Sequence, residues 1–409
     1  MLSSFIQLYK QAFKGLSRNS WLLSLVMLIN RSGTMVVAFM SIYCVHSLHF
    51  TIEQAGIIMM LFGVGSILGG FFGGLLTDKI GFYDLQVAAL FTGGLFFILL
   101  GFQHTFLTLA IGAVVLSLFN ESVRPANSAA IAHYSSPENK TRSISLNRLA
   151  INIGWATGSA LGGFLASINY HLLFWVDGGT NILAAVMLLI LMPKSAIVKT
   201  IKTHEKPAIR LSAYRDWTYL LFILFGLFFF VCFYEFMIIE PAFYKLSWHF
   251  NESFIVFLMA LNGLLIAFLE MVMIHNLEGK RHGLVYICFG VLLGGIGFVL
   301  INLVPATALM AVVIVIIITF SEMFAMPFMN SFWIARSSQH NRGQYAALYS
   351  MAWSAAQIVA PLIGGFVIAR GGFGMLWWIF AGMCALSAIG YFLMYKAKKK
   401  SHQTSMVAQ

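Results

Sequence analysis

Six ionisable side chains stand where such groups are costly. Arg31, Glu121, Arg124, Glu235, Glu240 and Glu322 each lie inside a long apolar run. An ionisable group at bilayer depth costs ~2.5–3.5 kcal/mol on insertion scales, so it faces a cavity or a partner. Glu121 and Arg124 are three residues apart and share one helical face. They read either as a mutually neutralising pair or as part of a binding site. Glu235 and Glu322 have no basic neighbour one helical turn away. Burial disfavours a charged carboxylate, so an acid of this kind can take up and release protons. Arg148, Glu270 and Asp177 are weaker candidates, because they lie near span ends where a side chain can reach water.

The surrounding sequence leaves few alternatives to a membrane protein. Of 409 residues, 60% are hydrophobic and 10% charged, where soluble proteins carry roughly 45–50% and about 25%. A membrane helix needs ~20 mainly apolar residues. Twelve runs meet that need, from Ser20–Val45, through Phe106–Ala132, Ser145–Ile168, Trp217–Tyr244 and Thr307–Ile334, to Tyr345–Ala369 and Gly374–Tyr395. They are unbroken, unlike the short alternating strands of a membrane barrel. The expected fold is all-α: twelve transmembrane helices in two pseudo-symmetric six-helix bundles.

With the N-terminus placed in the cytoplasm, twenty of the 25 Lys and Arg residues fall on that side. Lys245 and Arg370 fall opposite, and Arg31, Arg124 and Arg148 lie within helices. The charge of +11 is therefore topological, with both termini cytoplasmic, and nucleic acid is not the expected partner. The first sixteen residues, with Phe5, Leu8, Ala12, Phe13 and Leu16 at helical spacing, read as a short interfacial helix rather than a cleaved signal. Cys44, Cys232, Cys288 and Cys384 have the spacing of neither a disulfide framework nor a metal site. No phosphate-binding Gly-x-x-x-x-Gly-Lys-Ser/Thr loop occurs. No metal, organic cofactor, ATPase or enzyme activity is expected.

The polar stretch 193–216 divides the chain into residues 1–192 and 217–409. The halves repeat each other. Pro125 matches Pro327, and Leu161–Phe164 matches Ile363–Phe366, both at a shift of 202 residues. Such duplication points to a transporter with its substrate site near the midplane. In the second span Gly65, Gly69 and Gly73 recur every fourth residue, with Gly70 and Gly74 alongside, a pattern for close helix packing.

Two segments carry a family resemblance. Gly74-Leu75-Leu76-Thr77-Asp78-Lys79-Ile80-Gly81, between the second and third spans, resembles the loop motif of the major facilitator superfamily. Tyr83 and Asp84 stand where that motif continues with basic residues. Gly154, Gly158, Ser159, Gly162 and Gly163 in the fifth span resemble the Gly-rich motif of the superfamily's drug–proton antiporters, with Ser159 in place of a Pro. Arg124-Pro125-Ala126-Asn127 is similar to their fourth-helix Arg motif. The resemblance implies that spans one, four, seven and ten line a cavity, and those four hold the deepest charges. It implies that Asp78 meets a helix end and helps hold one conformation.

The expectation is a secondary active transporter, functional as a monomer in a plasma membrane, with a bacterial inner membrane favoured. Proton-driven export of small amphipathic molecules leads. The alternative is proton-coupled import of a zwitterionic solute such as a small peptide, an amino-acid derivative or a siderophore. A receptor or scaffold would need a sizeable extramembrane domain, which the spans leave no room for.

Overall fold

The computed structural model describes residue 7 and residues 10–193, 212–338 and 340–407. Of the predicted interfacial segment, residue 7 and residues 10–16 are described, with 10–13 helical, and the basic stretch 194–211 lies outside the described residues. Among the described residues the regular structure is helical, without strands. The helices are α1 (Arg18–Ser32), α2 (Met35–His46), α3 (Ile52–Ile80), α4 (Phe82–Leu100), α5 (Phe106–Tyr134) and α6 (Lys140–Ile168). They continue as α7 (His171–Leu191), α8 (Trp217–Leu246), α9 (Glu252–Leu277), α10 (Gly283–Leu303), α11 (Ala308–Arg336) and α12 (Arg342–Val407).

Eleven stretches of the described residues are long and apolar enough to span a membrane. The twelve expected spans map onto them with two differences. The first span is not one helix. It breaks between Ser32 and Met35, so α1 and α2 are its two halves. The last two spans run as one helix, interrupted at Gly372, whose φ of 69° only glycine adopts cheaply.

The chain packs as two compact units. One comprises Gly15–Arg215 with Ser337–Ser354, the other Met1–Lys14, Asp216–Arg336 and the chain from Ala355 onward. The division at 193–216 read from the sequence therefore differs from the packing at two places: the residues before Gly15 group with the second half, and Ser337–Ser354 groups with the first. The glycines of α3 give the physical reason for the latter. Cβ atoms at Gly65, Gly69 and Gly73 would strike α5, the last at 2.6 Å from Ser122 Cα. Gly70 and Gly74 lie on the adjacent face, against Met351 and Ala347 at the start of α12. Two glycine stripes thus seat two different helices on α3.

The internal repeat is visible in the backbone. Ser47-Leu48-His49-Phe50-Thr51 and Ser247-Trp248-His249-Phe250-Asn251 are related by 200 residues. In both corners the histidine is left-handed, with φ of 57° and 55°. Both corners bond the Phe amide back into the preceding helix, Phe50 to the Cys44 carbonyl and Phe250 to that of Tyr244. Thr51 and Asn251 then cap the next helix, accepting from Gln54 N and Phe254 N.

Candidate functional site

The break in the first span organises the polar interior of the first unit. Asn30-Arg31-Ser32-Gly33-Thr34 places five poorly helix-forming or charged residues together in an apolar run. A broken helix exposes two backbone ends, the carbonyls of α1 and the N–H groups of α2. Asp177 of α7, fully buried, answers the second. Its Oδ1 accepts from Met35 N at 3.1 Å and its Oδ2 from Val36 N at 2.7 Å. A carboxylate at a helix N-terminus is favoured both by these donors and by the helix dipole. One turn further along α7, Asn181 Oδ1 accepts from Asn30 Nδ2 at 2.9 Å, while its own Nδ2 donates to the Asp177 carbonyl. Gly33 lies directly against Thr180, where no Cβ would fit. Asp177, expected to reach water from its place near a span end, is instead fully buried.

Arg31, in the last turn of α1, is 4% exposed. It lies within electrostatic reach of Arg124 and Glu121 on α5. Glu121 Oε2 and Arg124 Nε are 2.7 Å apart, an ion pair without hydrogen-bond alignment. The three sequence candidates of this unit therefore act on one another electrostatically, with Glu121 and Arg124 in direct contact. The glycines of α6 bring the broken span to its place. A Cβ at Gly154 would meet the Leu28 carbonyl at 2.8 Å, and one at Gly158 the Ser32 carbonyl at 2.9 Å. One at Gly162 would approach Phe39 Cε2 at 2.9 Å. Ser159 and Gly163 of the same motif are exposed and leave that seam.

The second unit holds acids. Glu235 on α8 is 1% exposed, and its carboxyl fills the space that a side chain at Gly364 of α12 would need. Gly364 is thus the partner of Glu235 as Gly162, its equivalent in the repeat, is of α2. Glu235 Oε2 and Glu240 Oε1 have no hydrogen-bond partner among the described residues. Glu240 is also buried. It stands one turn from Tyr244, in a wall of Phe243, Tyr244, Trp248 and Phe250 whose rings are 5.4–5.9 Å apart. Glu322 on α11 is buried, five residues before Pro327.

Asp78 sits at the end of α3 and reaches the start of α12. Its Oδ1 accepts from Gly343 N at 2.6 Å and its Oδ2 from Gln344 N at 3.0 Å. Gly74 lies one turn earlier against Gly343 and Ala347, which is what lets the helices approach. Gly81 has φ of 92° and both ends α3 and starts α4. Lys79 is exposed. Where the motif's basic continuation is absent, Tyr83 is buried and donates to the Leu188 carbonyl at 3.3 Å. Ser212, at the end of the central linker, donates to Gln344 Oε1 at 2.8 Å. Tyr214 packs on Phe71, and burial and the nearby Asp78 carboxylate push its phenol up from the ordinary value. In the other unit Asp216 caps α8 through Tyr219 N and takes a two-pronged hydrogen bond from Arg336, 2.7 Å at Oδ1.

Sequence reasoning ranks Asp177 only as a weaker candidate and does not single out Asn181. Their partners are 142 and 151 residues away. The available signal was the polar quintet 30–34, which a continuous helix does not accommodate readily.

The sequence profile of the Major Facilitator Superfamily matches residues 21–354. Quinolone resistance protein NorA of Staphylococcus aureus is 25% identical over 158 residues, 39% of this chain and 40% of NorA. The MFS-type transporter YceJ of Bacillus subtilis is 24% identical over 169 residues, 41% of this chain and 43% of YceJ. The matched stretch thus spans about two-fifths of these relatives. Among solved structures, the human organic anion transporter MFSD10 superposes with a TM-score of 0.74 at 12% identity, over 92% of this chain and 99% of that one. A bacterial homologue of the iron transporter ferroportin, in an outward-facing state, gives 0.74 at 15% identity, over 93% and 100%. At these identities the structural likeness establishes the fold.

Proposed function

Since the chain belongs to the major facilitator superfamily, a family of membrane transporters, we propose that it is a proton-driven exporter of small amphipathic molecules in a bacterial plasma membrane. The observation that carries the reading is Glu235. The residue is 1% exposed and its carboxyl is seated on Gly364, with one oxygen unpartnered among the described residues. An acid so placed holds a proton until hydration or a cationic ligand favours release, and competition between the two couples their movements. Glu322 is the second proton carrier. Arg31 and Arg124 contact substrate, because a guanidinium keeps its charge and cannot serve as the carrier. Similarity to a quinolone resistance protein supports efflux and an aromatic, amphipathic cargo.

A second reading is proton-coupled import of a zwitterion. It is favoured by the partition of charge, with Arg31 and Arg124 in one unit and Glu235, Glu240 and Glu322 in the other. One experiment separates the readings. Proteoliposomes loaded with a pH dye are given norfloxacin, a fluorescent quinolone, with and without an imposed proton gradient. Export by exchange predicts proton movement opposite to norfloxacin, and import predicts movement with it. Proton flux indifferent to norfloxacin and to other amphipathic cations would sink the exporter reading.

A further inference from the structure

We infer that Asp177 and Asn181 of α7 form a clamp that holds the first span broken and thereby positions Arg31 for substrate. The inference rests on the reading of Arg31 as a substrate contact, and it concerns two residues that do not touch substrate themselves.

The clamp grips both sides of the break. Asp177 takes the first two N–H groups of α2, and Asn181 takes the side chain of Asn30, the residue before Arg31. Asn181 and Thr180 both donate back to the Asp177 carbonyl, so the two grips are parts of one turn of α7. The intervening chain has little freedom. Gly33 is pressed on Thr180, Thr34 Oγ1 donates to the Arg31 carbonyl at 2.8 Å, and Gly154 and Gly158 abut Arg31 from α6. Arg31 thus emerges from the C-terminal end of one short helix, where a cation is favoured, just before the N-terminal end of the next. Were the span continuous, residues 31–35 would advance ~100° each along a helix, and the direction of the guanidinium would follow that register. Being broken, the span lets Arg31 take a direction set by α7, within electrostatic reach of Glu121 and Arg124. Asp177 is committed to backbone donors, and Glu121 pairs with Arg124. Positioning of this kind acts on ground-state binding.

The test uses Asp177→Asn and Asn181→Ala in the full-length protein. Asn at 177 keeps the shape but turns one acceptor into a donor facing a backbone N–H. Hydrogen exchange in nanodiscs should become roughly tenfold faster at Met35 and Val36, the consequence of losing about one charge-assisted hydrogen bond, with the rest of the chain unchanged. In proteoliposomes each variant should raise the KM for norfloxacin several-fold at nearly unchanged kcat. Each effect should vanish in an Arg31→Gln background, since a positioning residue has nothing left to position. Should Asp177→Asn not fold, Asn181→Ala alone decides. Unchanged exchange at the break, or KM effects that add to that of Arg31→Gln, would overturn the clamp. An Arg31→Gln protein with normal KM would instead overturn the substrate role of Arg31 and the functional half of this inference with it. Vesicles that carry no norfloxacin count against the exporter reading, while the exchange data still decide whether the clamp exists.

Discussion

Three carboxylates in different settings carry the sharpest expectations for single residues. Glu322→Gln removes titration and keeps shape. It should abolish gradient-driven accumulation of a quinolone in vesicles while leaving some downhill flux, and Glu235→Gln should give the same or a partial defect. If both variants and their double retain normal pH-dependent transport, coupling lies elsewhere, with Glu121 next in line. Asp78 belongs to the latch between α3 and α12, and caps two backbone donors there. Asp78→Asn should slow transport by up to roughly tenfold, in line with the ~0.5–2 kcal/mol of a helix cap, with substrate affinity largely retained. Lost binding with an unchanged distribution of conformers by spin-label distances would refute that role. The depth of Arg31, Glu121, Arg124, Glu235 and Glu322 was legible in the sequence, because an apolar context is a local property. Their company was not. The ion pair of Glu121 and Arg124 spans three residues and could be anticipated, whereas Asp177 serves an amide 142 residues away.

At the scale of helices, the glycines of α6 and α12 separate close packing from mere smallness. Gly154 and Gly158 face backbone atoms of α1, which cannot turn aside. Gly154→Ala and Gly158→Ala should each cost ~1–3 kcal/mol by overpacking and lower the melting temperature in detergent measurably. Gly163 has one distant neighbour, Phe39 Cζ at 4.0 Å, and Gly365 has open space around it. Alanine there should be neutral or stabilise by up to ~1 kcal/mol through helix propensity. Equal losses at all four sites would show that the seam is not what the glycines serve. The length of the apolar runs located nearly every helix, since burial in lipid imposes such a run whatever lies beside it. It missed the break between α1 and α2. The residues 30–34 are polar yet short of a proline, and what keeps them out of a helix is supplied by α7. The same limit applied to α12, whose first turns pack with the opposite half through Gly70 and Gly74 of α3.

For the whole molecule, orientation is the property that charge alone argues. Lys199 and Lys400 should face the cytoplasm and Trp248 and Arg370 the outside, from the asymmetry of Lys and Arg along the sequence. Single-cysteine variants at these positions, labelled from intact cells with an impermeant maleimide, check it, and labelling at 199 but not at 248 would invert the assignment. Native thiols interfere little, because Cys44, Cys232 and Cys384 are buried. The two-fold repeat was readable from Pro125 and Pro327 and from the paired Gly-Gly motifs, but its clearest marks, the left-handed His49 and His249, needed the backbone. Gly372 separates the last two spans alone, with helix on either side. Other corners, such as 101–105 and 247–251, offer a few non-helical residues apiece. A protease must draw several extended residues into its cleft, and an inserted epitope needs slack on both flanks. The corner at Gly372 provides neither. It should resist digestion and reject a tag that the stretch 101–105 accepts, leaving the last hairpin closed to proteolysis and to epitope insertion.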